Sequence, residues 1–481
     1  MSSCMKCGPG YASPREAFIK GPREKLLYIP CIVPNKDRPD YLTTVDVDPE
    51  SPSYSKIIHR LHFPYLGDEI HHTGWNACSS CYDDPSRSRN RLIVPGLLSN
   101  RVYSVDVNSD PQKPKLDQII EPNEVYKVGC ATPHTTHCLD DGNIMISCMA
   151  DGPELNGKGS FLLIDGKTFT VSGTYATNPE DIPPFGYDFW YQPYHNVMIS
   201  TEWGHIRCLK DGLNLEDVAQ GNFGTHLNVF DWKAHKLIQR VDLGPDGVMP
   251  LEIRFLHDPK ASTGFVGSAL FANIYRFYKT EQGSWAALKV VDIPPKKVEG
   301  WILPEMPGVL TDILISMDDK YLYLSCWLHG DIRQYDISDP ENPKLAGQLF
   351  LGGSITKEFG VKVTEDKELE DQPNARYIQG KRIFGGPQML QLSLDGKRLY
   401  VTTSLFSPWD KQFYPDMHKN GSMLLQIDVD HENGGLKLND NFLVDYGSEP
   451  EGPVLAHEIR YPGGDCTSDI YLAHTEHLAK I

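Results

Sequence analysis

The 481-residue chain has no run approaching the 18 apolar residues that a membrane-crossing helix needs, and its first thirty residues carry no apolar stretch of signal-peptide length. A soluble protein of the cytosol, with the nucleus open to it, is therefore expected, without an integral membrane segment. Basic residues are in deficit, 46 Lys and Arg against 64 Asp and Glu for a net charge of −18, and no Lys/Arg cluster interleaves with aromatics. That excludes a phosphate-neutralising face, and nucleic acid is not an expected partner. Long amphipathic helical stretches are scarce, which argues against a helical bundle. There is no Ser/Gly-rich linker, charge block or low-complexity segment to mark a boundary between domains. Eleven cysteines, an odd number scattered along the chain, do not form a disulfide framework and fit reduced thiols.

What the chain has instead is punctuation and repetition. The 41 Gly and 36 Pro suit an all-β protein with many turns. Short apolar runs recur at Leu26-Leu-Tyr-Ile-Pro30, Arg91-Leu-Ile-Val-Pro95, Ile144-Met-Ile-Ser147, Val197-Met-Ile-Ser200, Phe265-Val-Gly-Ser268, Leu322-Tyr-Leu-Ser325 and Leu399-Tyr-Val-Thr402. Their starts lie 53 to 77 residues apart, the size of a propeller blade with insertions. Asp-rich turns such as Asp140-Asp-Gly142, Asp318-Asp319 and Asp395-Gly396 precede several of them, and runs ending in an acid follow, as in Tyr103-Ser-Val-Asp106 and Gln334-Tyr-Asp336. Four short strands per unit and seven units predict a seven-bladed β-propeller. Only one strand's worth of chain follows His457-Glu-Ile-Arg-Tyr461, so the last blade should be closed by both termini, leaving no unpaired edge. The expected organisation is a polar lead-in over 1–20, one propeller domain over 21–473 and a tail over 474–481.

The turn acids act as a ruler for the innermost strands. His134 lies six residues before Asp140, Glu252 six before Asp258, Asp312 six before Asp318 and Gln388 seven before Asp395. Asp188, His71-His72 and His457-Glu458 occupy similar polar-then-apolar openings. If these segments are innermost strands, their first residues crowd one mouth of the central channel. His329 follows the second strand of its unit, which returns it to the same face. Imidazoles converging from distant parts of the chain, without convergent thiolates, suit copper, zinc, iron or nickel, with affinity rising to copper. Neighbouring acids can orient the ligand rings.

Other histidines, such as His59, His226 and His418, read as ordinary core or surface residues. His137, three residues after His134, faces the opposite side of a regular strand and joins the site only if that strand is irregular. Cys4-x-x-Cys7 and Cys78-Ser-Ser-Cys81 are too far apart for a compact zinc module. Cys78 and Cys81 are redox or selenium-handling candidates on the face opposite the histidines.

The segments Glu69-Ile-His-His-Thr-Gly-Trp-Asn-Ala-Cys-Ser-Ser-Cys81, Gly186-Tyr-Asp-Phe-Trp-Tyr-Gln-Pro193, Pro250-Leu-Glu-Ile-Arg-Phe-Leu-His257, Trp327-Leu-His-Gly-Asp331, Gly385-Gly-Pro-Gln388 and Tyr461-Pro-Gly-Gly-Asp-Cys466 resemble the selenium-binding protein family, over about Gly8 to Tyr471. The resemblance implies a copper-dependent methanethiol oxidase that turns methanethiol, oxygen and water into formaldehyde, hydrogen sulfide and hydrogen peroxide. It assigns copper to positions matching His71, His72, His134 and His457, and it implicates His329 in activity. Glu252, Asp312 and Glu458 are candidates for proton handling. Some family members carry a cysteine, proposed to bind selenium, where this chain has Ser55; a hydroxyl cannot replace that thiol. The tail ends in Ala-Lys-Ile481, a relaxed form of a peroxisomal address. A monomer is expected, and the alternative to catalysis is a scaffold or selenium carrier that binds proteins over the propeller faces. A calcium-type propeller lactonase built on Asp188, Glu252 and Asp312 is the rival enzyme.

Overall fold

The computed structural model describes residues 8–155 and 157–473. Strands dominate them, and the fold is propeller-like and mostly antiparallel. Seven four-stranded sheets are present, with a three-stranded sheet of Lys296–Glu299, Glu305–Met306 and Lys362–Glu365 and a small hairpin beside them. Six of the seven follow chain order, opening with Gly74–Trp75, Ala131–Cys138, Phe189–Gln192, Pro250–Phe255, Leu310–Ile315 and Leu390–Leu392. The other combines Leu26–Ile32, Pro39–Asp46 and Lys56–Leu66 with Leu455–Ala456, so that Cys31 lies opposite Ala456, and Tyr28 bridges to Arg460.

Burial explains the order within a sheet. Opening strands such as Ala131–Cys138 and Leu310–Ile315 are buried at every residue, whereas the fourth strand Lys236–Asp242 alternates between exposed and half-buried positions. A strand buried on both faces carries apolar residues throughout, and an outer strand shows only one face to the core. Opening strands of neighbouring sheets touch: Gly74–Trp75 meets Ala131–Cys138, and Pro250–Phe255 meets both Phe189–Gln192 and Leu310–Ile315.

A hydroxyl on or just after the second strand ties each of several sheets to the next. Ser147 donates to the Tyr187 carbonyl, Thr201 to Leu251, Ser325 to Gln388 and Thr402 to His457. Ser147, Ser325 and Thr402, which close three of the repeated apolar runs, and Thr201, which follows a fourth, are thus joints between sheets. They satisfy carbonyls at the start of each opening strand, which would otherwise be buried without a partner.

The second half of the expected lead-in is packed structure. Pro14–Lys20 is a helix capped by Ser13 Oγ, which accepts from the Glu16 amide, and Ala17 enters the main core cluster. The peroxisomal-type ending and Cys4-x-x-Cys7 lie outside the described residues. Segments following the second strands form an apolar lid. Helices Ile206–Lys210, Ser407–Phe413 and Pro415–Asn420 bring Ile206, Trp409, Phe413 and Met417 into one cluster with Trp203, Met306 and Trp327. Among the described residues no helix is long and apolar enough to cross a membrane.

Candidate metal centre

Four histidines from three sheets meet beneath the lid. The His71 and His457 rings stack with centroids 3.6 Å apart, those of His72 and His134 are 4.0 Å apart, and His71 and His72 are 4.9 Å apart. All four are buried. One ring nitrogen from each of His71, His72 and His457 lies within 4.8 Å of the other two. Local backbone delivers them. Glu69 and Thr132, each two residues before a cluster histidine, have positive φ angles of 53°. For β-branched Thr132 this is strained, and the Thr132 amide is held by Asn100 Oδ1 at 2.5 Å.

Hydrogen bonding sets which nitrogen is free. His457 Nδ1 donates to the Ser404 carbonyl at 2.8 Å, and His72 Nδ1 lies 3.2 Å from Glu458 Oε2. His457 therefore presents an unprotonated Nε2, and the Nε2 atoms of His457 and His72, together with His71 Nδ1, are buried without a hydrogen-bond partner. A buried nitrogen lone pair without a donor is costly unless something fills the position. The partner on the opposite nitrogen is the arrangement that orients metal-bound imidazoles. Burial also pushes the pKa of His72 and of His457 down to about 3, and that of His71 well below its ordinary value, with the neighbouring imidazoles adding to the effect for His71 and His457. The rings are neutral at physiological pH and free to coordinate a cation. The donor set is all nitrogen, which fits copper or zinc better than calcium or magnesium.

Below the imidazoles lies a layer of buried charge. Arg254 Nη1 donates to Asp188 at 2.6 Å and its Nη2 to Glu252 at 2.7 Å; Arg460 Nη2 donates to Glu458 at 2.6 Å and its Nη1 to Asp465 at 3.1 Å. Glu458 Oε2 also accepts from the Thr73 amide at 2.5 Å. Asp188 and Asp465 are held below the usual carboxylate range; the largest contribution, burial, opposes this and is overcome by the arginines and hydrogen bonds. Burial raises Asp312 to about 7 and, with Asp188 nearby, lifts Glu252 well above its ordinary value. The layer therefore holds carboxylates paired with arginine and carboxyl groups able to carry protons. The Arg254 guanidinium already pairs with Asp188 and Glu252, two of the three acids that a calcium-type lactonase site would use. Arg254 and Arg460, which the sequence reading did not single out, have a shared signal: Glu252-Ile-Arg254 and Glu458-Ile-Arg460 are the same tripeptide, each pairing its own ends.

The structure separates His329 from the other four. Its Nε2 bonds the Met306 carbonyl at 3.0 Å, and the charges nearest it are Asp331, Lys296 and Arg333. Strand order places His329 after the second strand of its sheet, and its ring makes its hydrogen bond to the insertion bearing Met306 and not to the cluster. His137 also stands outside the cluster. The register shifts by one residue between Pro133 and Thr136, and His137 packs against Phe189 and Trp190, with centroids 5.1 Å away in both cases. There it lies near Asp188, Arg254 and Arg460.

Cys78 and Cys81 are buried around Ser80, together with Cys138 at the far end of the strand that carries His134. The nine described cysteines are all free and buried. Ser55 is committed to the backbone: its Oγ donates to the Leu443 carbonyl at 2.7 Å and accepts from the Leu443 amide at 3.0 Å.

A propeller-like β protein with a buried imidazole cluster over an acid and arginine layer defines a narrow class. The chain belongs to the 56kDa selenium binding protein (SBP56) family, whose model matches residues 5–472. It is 62% identical to a Xenopus laevis protein named methanethiol oxidase and 59% identical to a Homo sapiens protein of the same name, in both cases over 98% of this chain and 100% of the relative. A Mus musculus selenium-binding protein 2 is 60% identical over the same shares. Among solved structures, a hypothetical selenium-binding protein from Sulfolobus tokodaii matches with a TM-score of 0.86 at 37% identity, covering 96% of this chain and 99% of that one. A Pseudomonas aeruginosa periplasmic gluconolactonase matches with a TM-score of 0.52 at 10% identity over 91% and 98%, a likeness of fold alone.

Proposed function

We propose that this protein is a methanethiol oxidase that converts methanethiol, oxygen and water into formaldehyde, hydrogen sulfide and hydrogen peroxide, with copper at the imidazole cluster. Full-length relatives of that name support the activity. The observation that carries the metal is the convergence of three buried, unpartnered ring nitrogens from His71, His72 and His457. These three would hold copper, with His134 packed beside them. When bound, copper would supply one-electron redox chemistry and favour the thiolate form of the substrate.

The remaining work falls to the chain's own groups. The Ser404 carbonyl fixes the His457 tautomer, and Glu458 lies beside His72 Nδ1. The oxidation releases protons from the thiol and its carbon. Glu252 Oε1 and Asp312 Oδ1, both buried without a partner, are positioned to hold and pass them. The lid excludes bulk water from the same volume. We read the seven sheets as seven blades about one axis, with the sheet containing Leu26–Ile32 and Leu455–Ala456 closing the ring; the contacts between opening strands support this. Selenium binding through Ser55 forms no part of the proposal, because both roles of its hydroxyl are already used.

The test is to purify the protein, quantify bound metal and measure sulfide release from methanethiol. Copper-dependent release supports the reading; a copper-loaded protein that releases none overturns it.

A further inference from the structure

A single peptide links the lid to the imidazole cluster. The Ser404 carbonyl accepts from His457 Nδ1 at 2.8 Å, and the amide of the same peptide, that of Leu405, donates to Asp410 Oδ1 at 2.9 Å. In a trans peptide the N–H and C=O point in opposite directions. Pinning the amide on Asp410 therefore aims the carbonyl at His457. The other carboxyl oxygen, Asp410 Oδ2, accepts from Ser404 Oγ at 2.6 Å, so Asp410 grips the peptide from both residues that form it.

Asp410 sits in helix Ser407–Phe413 and is 0% exposed. That helix is itself fastened to the segment that delivers His71. Glu69, two residues before His71, takes the Ser407 amide at 3.1 Å and Ser407 Oγ at 2.7 Å on one carboxyl oxygen. Between the two anchors the Phe406 ring meets His71 edge-on at 6.0 Å. Hydrogen bonds in a chain polarise one another, so an acceptor on the Leu405 amide strengthens the Ser404 carbonyl as the acceptor for His457. A partner on Nδ1 in turn makes the free Nε2 a better donor to a metal.

We propose that Asp410 is a positioning residue for the metal centre: through the Ser404–Leu405 peptide it keeps the His457 proton on Nδ1 and the free Nε2 turned toward His71 and His72. The proposal rests on the reading of the cluster as a copper site and extends that site to a residue of the lid.

The experiment uses the full-length protein labelled with 15N-histidine, with the His457 resonances assigned by their loss in His457→Ala. Ring-nitrogen shifts of the metal-free protein report the His457 tautomer, and a competition titration reports copper affinity. In wild type the proton should reside on Nδ1. Asp410→Ala should give a mixture of tautomers and lower copper affinity by about 10- to 100-fold, the range for a partner that orients a ligand. Asp410→Asn should restore most of both, since it keeps an oxygen for the Leu405 amide and since burial raises the carboxyl it replaces to about 8. Ser404→Ala removes the hydroxyl contact alone and should give a smaller change in the same direction; it carries the test if Asp410→Ala does not fold. Gln412→Ala is the control, because it unties the same helix from Leu213 without touching Ser404. Wild-type His457 shifts and wild-type copper affinity in every folded variant of Asp410→Ala and Ser404→Ala overturn the proposal. So does an equal change in Gln412→Ala, which would make lid order and not Asp410 the cause. If wild type binds no copper, the functional reading fails instead, and the tautomer measurement alone decides the role of Asp410.

Discussion

His457 and His329 are alike in nearly every local respect. Both are 0% exposed, and each bonds a main-chain carbonyl through one ring nitrogen while the other nitrogen has no partner. They differ in company. His457 stacks on His71 and faces His72 at 5.1 Å, whereas His329 sits among Asp331, Lys296 and Arg333. Lys296 and Arg333 are buried cations already paired with Asp366, Glu368 and Asp331, so the charges around His329 are tied to one another. A free imidazole nitrogen is therefore not enough for a metal site; other neutral donors must point at the same volume.

The sharpest way to break this contrast is His71→Ala or His457→Ala. Each should abolish stoichiometric copper and lower sulfide release by about 100-fold or more, since removal of a direct ligand should exceed the 10- to 100-fold typical of outer partners. Chelation of the wild-type protein should have the same effect on activity, restored by copper and without change in far-UV circular dichroism. Glu458→Gln keeps a side chain of the same shape beside His72 Nδ1 but loses the charge that faces Arg460. Copper affinity should fall by about 10- to 100-fold in a competition titration. His329→Ala should leave copper bound and lower stability by about 1–3 kcal/mol in chemical denaturation, because the Met306 carbonyl loses its partner. Cys78→Ser, on the far side of the strand from His134, should leave copper content unchanged.

The same contrast shows what the sequence reveals. The turn acids give the register of the opening strands, and with it His134, Glu252 and Asp312, because hairpin geometry fixes how far a strand start lies from its turn. Distance from the centre has no such ruler. His329 bonds the carbonyl of Met306, a residue of an insertion that packs in one cluster with Trp327, so strand order alone cannot predict its surroundings. His137 depends on a one-residue bulge that no residue type announces. The lid itself is spread over separate insertions whose apolar residues become a single cluster only after folding. Two signals in the chain went unread: the repeated Glu-Ile-Arg tripeptide, in which an acid and an arginine two residues apart on a strand share one face, and Ser13 with Glu16 three residues on, which marks the helix Pro14–Lys20 inside the expected polar lead-in.

Whether copper belongs to the imidazole cluster and not to every buried histidine on that face is decided by parallel copper titrations of His457→Ala and His329→Ala, followed by electron paramagnetic resonance. Stoichiometric copper with the wild-type spectrum is expected in His329→Ala and none in His457→Ala. Copper lost from His329→Ala but retained in His457→Ala would overturn the assignment.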